Sequence, residues 1–203
     1  MPSKNREKIY LPESYYHVYN RGVNKRTIFK NQDDYAVFLN LLKRYLNNTP
    51  TKDDKGREYE WLHEQIELVA FCLMPNHYHL LIYQHEPHAM TRLLRGVAGA
   101  YGTYFNKKYR RVGPLFQDRY KASMITQDSY LQHISRYIHL NPPRYRHWQF
   151  SSLPYYEGYK TAGWVSPGRI LELFNSKEDY SSFVADYEDH QRMLEVIGHE
   201  LAD

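Results

Sequence analysis

A single cysteine, Cys72, stands in a chain of 203 residues. That excludes an intramolecular disulfide framework and fits a reducing, cytoplasmic setting. No run approaches eighteen apolar residues, and the N-terminal MPSKNREKIY has no apolar stretch of the kind a leader needs. Neither a membrane span nor a secretory signal is therefore expected. Internal repeats and low-complexity tracts are missing as well. Acids are scarce in one region: residues 92–121 carry Arg92, Arg95, Lys107, Lys108, Arg110, Arg111, Arg119 and Lys121 against Asp118 alone.

What is present is tyrosine, 21 residues of it, beside 11 histidines. Hydrophobic residues make up 42% and aromatics 16%, enough for a core, which excludes wholesale disorder. The length suits one domain with an appendage: residues 1–147 as the domain, 148–203 as a mostly helical addition. A second basic stretch holds Arg21, Lys25 and Arg26, and both stretches are interleaved with aromatics such as Tyr101, Tyr104, Phe105, Tyr109, Phe116 and Tyr120. Cations attract phosphates and ring faces stack unpaired bases, so single-stranded nucleic acid is the expected partner. From Glu172 onward the charge reverses to acidic.

Periodicity supplies the elements. Tyr15–Tyr19 reads as a strand, and Asp33–Asn47 as an amphipathic helix with Val37, Leu41, Leu42 and Tyr45 at helical spacing. Residues 48–57 read as a surface loop. Ile66–Met74 and His77–Tyr83 form a hairpin across Pro75-Asn76. A helix follows from Pro87 to about Lys108, with small residues for close packing, then an edge strand near Tyr120–Ile125. A third helix, capped by Thr126 or Asp128, runs to Leu140 and stops at Asn141-Pro142-Pro143. The order β-α-β-β-α-β is that of an α+β, ferredoxin-like antiparallel sheet with helices on one face and a further helix following. Short helices are expected near Pro167–Phe174 and Glu178–Met193.

The tripeptide His77-Tyr78-His79 carries the chemistry. Alternate strand residues share a face, so the two imidazoles point one way and Tyr78 the other. Two imidazoles can hold part of a metal shell and leave open positions for a phosphate oxygen. On the third helix, Tyr137 and Asn141 lie four residues apart and so on one side. A tyrosine oxygen can attack a phosphodiester made electrophilic by a divalent ion, and Asn141 offers a harder oxygen ligand. Tyr130, two turns earlier, is the second choice of nucleophile. His17 is read as structural rather than functional, and His139 points elsewhere on the helix.

The segments YHVYNRGVNKRTIF, AFCLMPNHYHLLI, GPLFQDRYKA and YLQHISRYIHLNP occur in this order between Tyr15 and Pro142. Together they resemble the single-tyrosine HUH transposases of the insertion-sequence type, and most of all the REP-associated tyrosine transposases. The resemblance implies that His77 and His79 hold Mg or Mn and that Asn141 completes the shell. It implies that Tyr137 attacks single-stranded DNA beside a hairpin, leaving a 5′-phosphotyrosine and a free 3′-hydroxyl. Phosphate contacts would then fall to Arg21, Lys25, Arg26, Arg95, Lys107, Lys108, Arg110, Arg111, Arg119 and Lys121. The chain would work as a monomer or a homodimer. It departs from the pattern after Asn141-Pro142, reading PRYRHW, so no role is carried beyond Arg146. The alternatives are a non-catalytic hairpin DNA- or RNA-binding module, and a hydrolase using water. The hydrolase needs a base carboxylate near the histidines, and Glu86 lies past the strand end.

Overall fold

A computed structural model describes residues 10–186. Four strands form one antiparallel sheet: β1 (Ser14–Arg21), β2 (Ile66–Met74), β3 (His77–Gln84) and β4 (Lys121–Ile125), in the order β2-β3-β1-β4. Helices α1 (Gln32–Leu46) and α2 (Ala89–Lys108) connect them, and α3 (Asp128–Leu140) follows β4. This is the expected α+β arrangement, with β4 at one edge.

α1 starts in a capping box: Asn31 accepts from the Asp34 backbone N–H at 3.2 Å, and the Asp34 carboxylate accepts from Asn31 at 3.3 Å. α2 begins two residues later than the proline suggested, after His88 in a left-handed conformation. Its small residues act differently from the expectation of close packing on a sheet. A side chain at Gly96 would collide with Tyr45 of α1, whereas Gly99 and Gly102 face open space. The close approach is therefore helix to helix, at one position. α3 begins after Gln127, which makes no side-chain cap bond, so neither Thr126 nor Asp128 holds the cap position.

Alternation divides the core in two. Tyr16 and Val18 of β1 and Tyr78, Leu80 and Ile82 of β3 join Phe38, Leu42, Leu93 and Tyr101 beneath α1 and α2. On the opposite face Ala70, Cys72 and Leu81 meet Ile134, Tyr137 and Ile138 of α3. β2 keeps this parity only through an irregularity between Leu68 and Ala70, which turns Val69 and Ala70 to the same side.

Beyond α3 the chain runs along the free edge of β2. Leu73 N–H donates to Phe150 O (2.9 Å), Ser152 N–H to Phe71 O (2.9 Å) and Ser166 N–H to Leu68 O (2.9 Å). Three short helices follow, α4 (Leu153–Tyr156), α5 (Gly168–Leu171) and α6 (Lys177–Ala185), packing their buried residues with α3. The part of the expected Glu178–Met193 helix past residue 186, and most of the acidic tail, lie outside the described residues.

Candidate active site

Strand register brings the histidines together. Tyr19 of β1 pairs opposite His79 of β3, and Arg21 opposite His77. His17, Tyr19, His77 and His79 thus lie on the sheet face that α3 covers. The His17 and His79 rings stack with centroids 5.1 Å apart, and His17 Nε2 meets His79 Nδ1 at 2.9 Å. The Tyr137 ring stands edge-on over both, 5.3 Å from His79 and 5.9 Å from His17. Asn141, one turn on, places Oδ1 3.2 Å from His77 Nε2. The four residues singled out from spacing therefore converge.

The hydrogen bonds fix one tautomer. Asn76 donates its Nδ2 to Lys25 O at 3.2 Å, which turns its Oδ1 to His77 Nδ1 at 2.6 Å. His77 Nδ1 is then the protonated nitrogen, and Nε2 presents a lone pair. That lone pair faces the Asn141 oxygen, two acceptors with no proton between them. A cation resolves such a pairing. Ligands about 2.1 Å from a Mg ion on neighbouring octahedral positions lie roughly 3 Å apart, close to the spacing seen. His79 Nδ1 is engaged by His17 Nε2, and its own Nε2 makes no hydrogen bond among the described residues. No cluster of three or more His, Cys, Asp or Glu side chains suited to a metal occurs among those residues. His17 is a hydrogen-bond partner of His79, and Asn141 adds an oxygen beside His77. The donor set fits a divalent ion with open sites.

Electrostatics agrees. Burial holds His17 down to about 4, and holds His79 well below the usual imidazole range, with His17, His77 and Arg21 adding to the effect. His77 is lowered chiefly by burial as well. Neutral imidazole is the form that binds a metal. Burial raises Tyr137 above the usual tyrosine range, and the Asn141 amide works in the opposite sense. The Tyr137 hydroxyl thus needs help to ionise.

The basic residues divide. Arg21, Arg119 and Lys121 are exposed around the site: the Gln117 N–H donates to Arg21 O (2.8 Å) and Asn20 to Asp118 O (3.1 Å), docking that loop on β1. Lys121 pairs opposite Tyr19 and its ammonium lies 6.0 Å from that ring. Lys25 and Arg26 are exposed on the turn after β1, where a side chain at Gly22 would meet Arg26 O. Arg95, Lys107 and Arg110 are exposed on or just past α2, the helix packed on the opposite sheet face. Lys108 is committed to the buried Asp34 at 2.8 Å, and Arg111 to Asn106 at 2.9 Å. Tyr130 packs with the α3 cluster. Asn76 and Tyr19, whose ring lies 5.8 Å from His79, were not singled out from the sequence. Tyr19 was within reach, since Tyr15, His17, Tyr19 and Arg21 alternate on one face.

Residues 58–141, spanning β2 to Asn141, match the family model of the IS200-like transposases. Over that stretch the chain is similar to the IS200-like transposases. A tyrosine transposase acting in DNA transposition is the enzyme this family describes. The solved structure of a REP-associated tyrosine transposase bound to a REP hairpin shares the transposase fold. It is 14% identical, with a TM-score of 0.55 over 79% of this chain and 90% of that one. A transposase structure from Deinococcus radiodurans is 18% identical, with a TM-score of 0.40 over 66% of this chain and 94% of that one. No curated protein sequence matches the chain. No helix among the described residues is long and apolar enough to cross a membrane.

Proposed function

We propose that this chain cleaves and rejoins single-stranded DNA beside a hairpin through a covalent 5′-phosphotyrosine on Tyr137. The observation that carries this reading is the convergence of Tyr137 and Asn141, from one helix, on the buried His77–His79 pair. A divalent ion, Mg or Mn, held by His77, His79 and Asn141 would polarise the scissile phosphate and favour the ionised tyrosine. The Tyr137 oxygen bonds to phosphorus, the bond to the 3′ oxygen breaks, and that oxygen leaves as a hydroxyl. Rejoining reverses these steps with a 3′-hydroxyl as attacker, so no nucleotide triphosphate is consumed. Arg21, Arg119 and Lys121 border the site and hold the DNA backbone; Lys25, Arg26, Lys107 and Arg110 extend the contact. One chain supplies every reacting group.

The test is incubation of the chain with hairpin-bearing single-stranded DNA and Mn, followed by denaturing electrophoresis. The wild type gives a covalent adduct and Tyr137→Phe gives none. An adduct that survives the substitution moves the nucleophile elsewhere, with Tyr130 next to test. A wild type that binds the hairpin without forming an adduct is a binding module.

A further inference from the structure

The helix that carries Tyr137 has a second polar face. Gln132, Ser135, Arg136 and His139 follow the spacing i, i+3, i+4, i+7, one stripe of a helix. Each is bonded to the segment after residue 147. Gln132 Nε2 donates to Leu173 O at 3.1 Å and Arg136 Nη1 to Phe183 O at 3.1 Å. Arg136 also lies 4.1 Å over the Phe183 ring. His139, with no solvent exposure, bonds Tyr180 Oη through Nδ1 and Ser152 Oγ through Nε2, both at 2.7 Å.

The last of these contacts belongs to a longer chain. Ser135 Oγ donates to Gln132 O at 2.7 Å, and Tyr180 Oη donates to Ser135 Oγ at 3.2 Å. Tyr180 Oη also meets His139 Nδ1, at 2.7 Å. His139 Nε2 meets Ser152 Oγ, which accepts the Phe71 N–H at 2.8 Å and lies 3.2 Å from Phe71 O as a donor. The relay is continuous from the β2 backbone through the imidazole to a carbonyl of α3 itself. A buried network whose members all have partners resists rotation of those members. Tyr137 is two residues from the imidazole at its centre.

We infer that His139, held by Tyr180 and Ser152, is a positioning residue that fixes the rotation of α3 and so aims Tyr137 at the histidine pair. The role of residues 148–186 is then to set the angle of the nucleophile. This rests on the phosphotyrosine reading above.

The test compares the full chain with its Tyr180→Phe and His139→Ala variants. Tyr180→Phe keeps the ring packing and removes one hydroxyl of the relay. Three quantities are read well below the melting temperature: DNA affinity, the single-turnover rate of adduct formation at saturating DNA, and amide exchange along α3. Expected are affinity within about twofold of wild type and a rate reduced about ten- to a hundredfold by misalignment. Exchange near residues 137–141 should be faster while the sheet stays protected. His139→Gln, which offers one donor and one acceptor, restores part of the rate. A purely structural role lowers the melting temperature without this split. Tyr180→Phe and His139→Ala chains that stay folded and form adduct at the wild-type rate, or whose α3 exchange is unchanged, overturn the inference. A wild type that forms no adduct at all fails the reading beneath it instead, and the positioning role falls with it.

Discussion

The two faces of the sheet are built from the same strands and do opposite work. Beneath α1 and α2, alternate residues such as Val18, Tyr78, Leu80 and Ile82 are apolar and closely packed. One position along on the same strands, beneath α3, stand His17, His77 and His79, three imidazoles kept neutral by burial. Charge on the first face is confined to Asp34, which accepts from Lys108, Tyr104, Tyr109 and two backbone N–H groups. On the second face polar groups are spread through the core, and several bond to one another. The first face supplies stability, and the second holds groups at distances useful to chemistry and accepts the cost of burying them. A strand's period of two lets one sequence write both.

Substitutions can break that division, and their effects on stability should fall in order. Phe38→Ala, in the helix-covered face, should cost about 3–5 kcal/mol in denaturant unfolding. Its adduct rate below the melting point should stay near wild type. Asp34→Ala, which strands the donors around it, should cost about 2–3 kcal/mol. His79→Leu should leave folding within about 1 kcal/mol, because a buried imidazole is exchanged for an apolar group of similar size. It should nevertheless abolish adduct formation. A His79→Leu chain that unfolds would show that the histidine face also carries the fold. Arg119→Ala should be silent in unfolding and flatten the salt dependence of DNA binding by about one unit of slope.

Acid should separate the faces. Burial holds His139 down to about 3, whereas an unfolded imidazole titrates near 6.5. Between those values the unfolded chain binds the extra proton, so stability falls as pH drops from about 6.5, by a few kcal/mol in all. Burial alone would raise Asp34, but Lys108, Tyr109, the Lys30 N–H and Tyr104 outweigh it and lower the group. Its contribution is present above about 3.9 and fades only as pH falls through the lower folded value. Unfolding titrations from pH 7 to 3 should therefore lose stability first through the histidine face. His139→Gln should flatten the upper part of that curve and leave the lower part intact.

Much of the site could be read from spacing. The two-residue interval between His77 and His79 and the four-residue interval between Tyr137 and Asn141 are local geometry, and local geometry survives folding. The strand order followed from the alternation of elements. What stayed hidden depends on register and on distant segments. His17 reaches His79 because Tyr19 pairs opposite His79, and a shift of one residue would have turned it away. The irregularity in β2 gives no mark in an unbroken apolar run. Lys108 and Arg111 look like free cations until Asp34 and Asn106 are placed beside them. The four polar residues on the far side of α3 were not singled out, because most of their partners lie dozens of residues later.

The segment running along β2 also has a consequence for handling the protein. Without it, Ile66–Met74 (IELVAFCLM) would be an open sheet edge of nine residues with one charge and no proline. Such an edge is a template for pairing with a second chain and then for aggregation. The other edge, β4, is only five residues long and begins with Lys121, which discourages the same fate. A chain cut after residue 147 should accordingly lose solubility before it loses its strands. The segment proposed to aim Tyr137 is also the one that keeps the sheet from growing.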